Sequence, residues 1–515
     1  MNPVKRFPSK PLLAALLLAT LLLSACQRPE TTNPASLSSQ AQSPIGSVQK
    51  DGQQDPDWCL PNARQAIDTS FSPTPNPPRV LPTLRATDES YTVQPGDGLA
   101  AIAGRYGLPL ESLIAANNLA NPNLLEIGQV LLIPAPRPAN PGTGFKIIPD
   151  SELVNGPAAA CFDLETFIIK YNGYLSRYTE QVDGRSMTGA EIISRVAAEY
   201  SVNPRLLLAL LEYQSAWLTA STPNLDTLSY PLGNKDFWRE GLYRQLAWAA
   251  DQMNRGYYLW QINGLSTWVT ADGAVVPINN TINPGTAAVQ RLFSLLLDES
   301  AWRVAVDETG FIQTWQNLFG SPFGLAIEPL VPANLRQPAM QLPFEKGSTW
   351  SFTGGPHGGW GDGSAWAALD FAPPGNAEGC VLSDAWVVAA ADGLVVYADN
   401  GIVIQDLDGD GSFQTGWSLF YGHIESRGRV RTGTALKAGD RIGHPSCEGG
   451  VSSGTHVHLA RRYNGEWIAA DGSLPFIMDG WVSRGTGTVY NGILQKDGRS
   501  IEAWDERKPE NQIHR

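Results

Sequence analysis

GTHVHLA (454–460) carries two histidines at alternate positions, His456 and His458. On an extended strand alternate residues project to one face, so both imidazoles stand close enough to share a site. Upstream, ALDFAPPG (368–375) reads as a short apolar strand that ends in a turn, with Asp370 inside it. A carboxylate on an apolar strand is costly unless it is paired or bound to a metal. Between the two, SLFYGHI (418–424) alternates as a strand and puts His423 near its end, and VRTGTALKAGDRIG (430–443) reads as a β-hairpin turn region. All six histidines lie at or beyond position 357: His357, His423, His444, His456, His458 and His514. Imidazole is the usual ligand of catalytic zinc, so the clustering directs attention to the last third of the chain.

The segments GGPHGG, ALDFAPPG, VVAAADGLVV, LFYGHI, ALKAGDRIG and SSGTHVHLA, in this order, resemble the lysostaphin-type, or LytM, zinc endopeptidases. The resemblance implies a mainly antiparallel β peptidase domain, placed at 336–490, with a tail at 491–515. It also implies a zinc ion with three protein ligands, an upstream His, an Asp and the second His of an H-x-H pair, leaving a fourth position for water. Carried over, Asp370 and His458 are metal ligands. His456 would accept the water proton and pass it to the leaving amine, and His423 would help to stabilise the tetrahedral oxyanion.

One departure stands out. The family places its first His four residues before the Asp, a position held here by Trp366. His357, in TGGPHGGWGDGSAW, is the remaining candidate for the third metal ligand, with a Gly-rich loop folding its ring back to the metal. A loop role without metal is the competing reading. DLDGDGSFQTGW (406–417) imitates the start of an EF-hand loop, but Trp417 stands where the bidentate Glu belongs, so it reads as an acidic hairpin tip. His444 and His514 have no partners legible in the sequence.

A second unit lies at 89–136. YTV (91–93) is a short strand, and Asp97 is expected to N-cap a helix that runs to Tyr106 and ends at Gly107. Pro109 opens a second helix, and QVLLIP (129–134) is a closing strand. YTVQPGDGLAAIAGRYGLPLESLIAANNL…LLEIGQVLLIP resembles a LysM repeat. That resemblance implies a βααβ module that binds N-acetylglucosamine chains, with a groove between Gly96, Asp97 and Gly98 on one side and Asn117, Asn118 and Leu119 on the other. Gly98 replaces the family's usual Thr or Ser.

Residues 137–160 form a Pro/Gly linker, and 161–335 turn helical. Asn203 as N-cap and Pro204 at the first helical position open RLLLALLEYQSAW, a helix apolar nearly all round and therefore buried. AAEYSVNPRLLLALLEYQS resembles the catalytic helix of lytic transglycosylases and lysozyme-like folds. Gln214 holds the position of the catalytic Glu, and an amide cannot donate the proton that glycan cleavage needs. The expected domain is a degenerate lysozyme-like glycan binder or spacer; an unrelated helical domain fits so short a match equally well.

At the N-terminus, Lys5, Arg6 and Lys10 precede an apolar run over 11–23, too short to span a bilayer comfortably. Leu23-Ser24-Ala25-Cys26 resembles a bacterial lipobox, which implies a lipoprotein signal peptide over 1–26, cleavage before Cys26 and lipidation of its thiol. Residues 27–88, rich in Ser, Thr, Pro, Asn and Gln, read as a flexible linker. The other four cysteines, Cys59, Cys161, Cys380 and Cys447, suggest two disulfides in an oxidising compartment, with three pairings open.

The whole is a multidomain α+β chain of 515 residues with net charge −13. An acidic surface argues against nucleic acid as a partner. The function expected is an extracytoplasmic, membrane-anchored, zinc-dependent peptidoglycan endopeptidase, with glycan chains and peptide stems as its partners. The competing expectation is a non-enzymatic LysM/LytM lipoprotein that scaffolds or activates cell-wall amidases.

Overall fold

The computed structural model describes residues 78–515 except Ala120 and Asn123; Cys26 and Cys59 lie outside the described residues. The first unit is βααβ. Strand β1 (Glu89–Thr92) pairs antiparallel with β2 (Val130–Ile133), and helices α1 (Leu99–Arg105) and α2 (Leu110–Asn117), which lie between them in the chain, pack against the pair. Leu99, Ile102, Ala103, Leu113, Leu131 and Ile133 fill its small core. Asp97 is not the N-cap expected of it: Gly98 holds that place, and no side chain caps α1. The Asp97 carboxylate turns back instead, accepting from the Tyr91 hydroxyl at 2.6 Å and the Gln94 amide at 2.8 Å.

The helical region contains α3 (Leu164–Tyr171), α4 (Gly189–Tyr200), α5 (Pro204–Ser215), α6 (Leu242–Gln261), α7 (Pro284–Leu296), α8 (Glu299–Ala305) and α9 (Phe311–Phe319). Two small hairpins interrupt it, β3 (Thr179–Val182) with β4 (Arg185–Thr188), and β5 (Thr267–Val269) with β6 (Val275–Pro277). At the start of α5, Asn203 accepts from the Arg205 amide and Pro204 stands at the first position. Leu206 to Leu211 are buried on every side, as the unbroken apolar run requires.

The last region is built on one large antiparallel sheet. Its strands are β7 (Thr349–His357), β8 (Ala368–Ala372), β10 (Gly393–Asp399), β11 (Ile402–Asp406), β12 (Trp417–Gly422), β13 (Ala435–Leu436), β15 (Val457–Tyr463) and β21 (Gln512–His514). They run in the order β13-β10-β11-β12-β15-β8-β7-β21, and β16 (Glu466–Trp467) pairs with β15. A second sheet holds β17 (Ile477–Met478), β18 (Trp481–Gly485), β19 (Gly492–Lys496) and β20 (Arg499–Glu502).

Two expectations are corrected. Residues 430–443 are not a hairpin: β13 pairs with β10, whereas β14 (Arg441–Gly443) pairs with β9 (Val387–Val388). The turn chemistry is real, but each flanking strand finds a better partner elsewhere. Residues 491–515 are not a tail: they supply β19, β20 and β21, and the last of these adds to the edge of the main sheet through β7.

Side chains alternate across the main sheet. Leu369, Phe371, Leu419, Tyr421, Val457 and Leu459 face one core. Ala368, Phe420 and Ala460 face the other way, into the core that also holds the helical region. Asp370 is two residues from Ala368 and His458 two from Ala460, so both belong to the face turned towards the helices. Arg462 donates to the Ala198 and Glu199 carbonyls at the end of α4, both at 2.9 Å, and the Trp467 amide donates to the Tyr258 hydroxyl of α6 at 2.9 Å.

Candidate metal centre

Strands β7, β8 and β15 lie side by side, and each brings one donor. Asp370 pairs in register with His458 on one flank and with Gly354 on the other. Glycine is required at 354, because a Cβ there would stand 2.6 Å from Asp370 Oδ2. The register between β7 and β8 slips twice between Phe352 and His357. Such bulges re-aim a side chain without adding a loop. His357 therefore reaches Asp370 from the end of a strand, not from the folded-back glycine loop expected of it. Trp366 is placed apart, its carbonyl accepting from the Ala470 amide at 2.7 Å.

His357 Nε2, Asp370 Oδ1 and His458 Nδ1 converge. The two nitrogens are 3.0 Å apart, and they lie 3.3 and 3.2 Å from the oxygen. All three residues are buried. His357 Nδ1 stands 2.8 Å from the Gly355 carbonyl and His458 Nε2 stands 2.8 Å from the Gly359 carbonyl. A carbonyl only accepts, so each of those nitrogens carries the ring proton. The facing nitrogens of neutral rings are then bare lone pairs. Asp370 Oδ1 accepts no hydrogen bond although three imidazole nitrogens surround it within 3.6 Å. Three buried lone pairs aimed at one another repel unless a cation lies between them. The set of two imidazoles and one carboxylate is what an open catalytic metal site uses.

His456 and His423 stand beside this group, their ring centroids 4.5 Å apart. His456 Nδ1 donates to the Gly454 carbonyl at 2.7 Å, leaving Nε2 bare and 3.6 Å from Asp370 Oδ1. His423 Nδ1 donates to the Glu448 carbonyl at 3.1 Å, which leaves its Nε2 bare as well. Burial, with His456 and His458 nearby, pushes the His423 imidazole down to about 3. A neutral His423 presents that Nε2 to the site as an acceptor. His444 and His514 lie elsewhere: His444 Nδ1 meets the Ala385 carbonyl at 2.9 Å, and His514 Nδ1 meets the Thr349 hydroxyl at 3.0 Å.

Residues 369–470 match Peptidase family M23, residues 91–134 match the LysM domain, and residues 146–331 match the LasA, N-terminal domain. The chain is a LysM-containing peptidase of the M23, or LytM, type. Protease LasA of Pseudomonas aeruginosa is 28% identical over 341 residues, spanning 63% of this chain and 75% of that protein. Beta-lytic metalloendopeptidase of Achromobacter lyticus is 27% identical over 160 residues, 30% of this chain and 40% of that one. Among solved structures, the M23 metalloprotease pseudoalterin is 24% identical and covers 35% of this chain and 99% of its own, with a TM-score of 0.28. The peptidase match contains Asp370, His423, His456 and His458 but not His357, so the geometry alone brings His357 into the group.

In this peptidase Tyr490 escaped the sequence reading. Its ring stacks on His357 with centroids 4.3 Å apart, and its φ of 66° is uncommon for a bulky residue. An aromatic among the Gly and Thr residues of GTGTVYNG was the one available signal.

The peptidase's LysM candidates divide. Asn117 spends its amide on β2, donating to Leu132 O at 2.7 Å and accepting from Leu132 N at 2.6 Å. Leu119 packs against the small core. Gly96, Gly98 and Asn118 keep open surroundings or exposed positions in the two loops. In the helical region, Gln214 donates to the Leu232 carbonyl at 3.0 Å. Glu212 accepts from the Leu218 and Thr219 amides at 3.0 and 3.2 Å, closing the end of α5. Cys380 and Cys447 form a disulfide with Cα atoms 5.8 Å apart, and Cys161 is disulfide-bonded. Asp406, Asp408 and Asp410 cluster at the tip between β11 and β12.

Proposed function

We propose that this peptidase is a zinc endopeptidase that hydrolyses peptidoglycan cross-bridges or stems, brought to its substrate by the LysM module. The observation that carries it is the trio of bare donors on His357, Asp370 and His458, which fits a tetrahedral zinc with one position open. Zinc held there would supply Lewis acidity to a water and to the scissile carbonyl. His456 is the base: its Nε2 is bare and stands 3.6 Å from Asp370 Oδ1, beside the converging donors. It accepts the proton of the attacking water and returns it to the leaving amine. His423 stays neutral and orients that water as an acceptor through Nε2.

We also read Cys26 as lipidated and the chain as held at a membrane on the outer side of the cytoplasm. Among the described residues no helix is long and apolar enough to cross a membrane. The LysM residues Gly96, Asp97, Gly98, Asn118 and Leu119 are read as the glycan side, with Asn117 as their brace. The helical region lacks a proton donor at Gln214 and is read as non-hydrolytic.

The test is to measure zinc per chain and release of muropeptides from purified peptidoglycan by the full-length protein. One zinc per chain with new free amines supports the reading. A protein that binds no zinc at micromolar metal and releases no amine contradicts it and leaves the amidase-scaffold function in its place.

A further inference from the structure

His423 sits just past the end of β12 with φ of 60°, in the left-handed region that a β-carbon makes costly. Such a conformation persists only where its surroundings hold it. Here the clamp is the segment 445–448. The Ser446 amide and hydroxyl donate to the His423 carbonyl at 2.7 and 3.0 Å, and the Glu448 carbonyl takes the His423 ring proton. Cys447 lies between these two residues.

The other histidine of the pair depends on the same region. The His456 amide donates to the Ser446 carbonyl at 3.3 Å, and the Ser452 hydroxyl lies 3.3 Å from His456 Nδ1. Thr455, its neighbour, is pinned from across the site. Its amide donates to Gly379 O at 3.0 Å, and its hydroxyl donates to Val381 O at 2.6 Å and accepts from Val381 N at 2.8 Å. Cys380 lies between Gly379 and Val381. Neither 376–386 nor 446–455 belongs to a strand; besides these bonds, Ser426 donates to the Glu448 carboxylate and Arg507 to the Ala377 and Thr455 carbonyls, and the disulfide ties the two segments to each other.

We propose that the Cys380–Cys447 disulfide is a strut that positions both proton-handling histidines, and that turnover depends on it while metal retention does not. Cys380 and Cys447 are positioning residues. The bond ties the segment that clamps His423 to the segment that clamps the neighbour of His456. The metal ligands stand outside its reach. His357, Asp370 and His458 sit on three strands paired to one another, and their ring protons go to Gly355 and Gly359. The proposal rests on the peptidase assignment for what the histidines do, but not for how they are held.

The test uses full-length C380S/C447S together with Thr455→Val, which keeps the disulfide and cuts its link to His456. Zinc per chain, kcat and KM on a cross-bridge peptide, and ring signals of 15N-histidine are measured for each. The expected result for the double variant is a fall in kcat of about 10- to 100-fold, with KM and zinc unchanged and the hydrogen-bonded Nδ1 signal of His423 lost. Thr455→Val should lower kcat less, with zinc retained. Unchanged ring signals with kcat within about twofold of the parent in both variants overturn the strut, as does loss of zinc in proportion to kcat. A changed ring signal in the double variant, when the parent itself cuts no peptide, would uphold the strut and remove the catalytic assignment of the two histidines.

Discussion

His357 Nε2 and His458 Nδ1 face each other at 3.0 Å, and the other nitrogen of each ring meets a backbone carbonyl, so in the neutral rings the facing nitrogens are lone pairs. Two lone pairs do not hold that distance in a buried site unaided. The contact is the structural reason for placing a cation at this point, and it makes the separate roles of the histidines testable.

His456→Ala should leave zinc in place and lower kcat by about 10²- to 10⁴-fold, the usual worth of a positioned general base. His456 contributes no atom to the converging trio, so the metal has no reason to leave. Parallel loss of zinc and turnover would show that His456 is a ligand.

Glu466 gives a pH dependence. It accepts from Gln261 Nε2 at 2.9 Å and from the Tyr257 hydroxyl at 3.3 Å, between β16 and α6, with Asp150 as a further acid nearby. Burial pushes its carboxyl up to about 7, and burial likewise pushes Asp150 up to about 6. A raised folded-state value means that the folded chain holds the proton more tightly. Stability is then fully present below the unfolded value and falls as pH rises to about 7. Glu466→Gln mimics the protonated form. It should raise stability by on the order of 2 kcal/mol at pH 8 and change little near pH 4.5. Thermal unfolding at the two pH values checks this; equal effects at both would refute it.

Asn117→Ala should destabilise the LysM module by about 1–2 kcal/mol, because Leu132 loses both its amide and its carbonyl partner. Chitooligosaccharide binding should keep the parent's Kd under conditions where the module stays folded. Lost binding with unchanged urea unfolding would instead put the amide on the sugar.

Local signals were legible where local chemistry decides the structure. Asn203-Pro204 announced the start of α5, and ALDFAPPG announced β8. Long-range pairing left no such mark. Three residues of β21 join β7 across some 160 positions of chain, and nothing in QIH states that partner. The same holds for 430–443, where the turn residues were readable but the competition between two sheets was not. At the site, Asp370, His456 and His458 showed themselves by type and spacing. The carbonyls of Gly355, Gly359, Gly454 and Glu448, which set every ring proton, have no sequence signature because every residue has a carbonyl. For His423 the nitrogen that faces the site is set by the other one, which meets the Glu448 carbonyl.

The central claim is that His357, thirteen residues before Asp370, completes the metal site. The measurement is zinc content of full-length His357→Ala against the parent, by atomic absorption after dialysis at micromolar metal, with His456→Ala as the control that keeps all three ligands. The account predicts about one zinc per chain in the parent and in His456→Ala, and a loss of at least about tenfold in zinc affinity in His357→Ala. Full zinc occupancy in His357→Ala would contradict it.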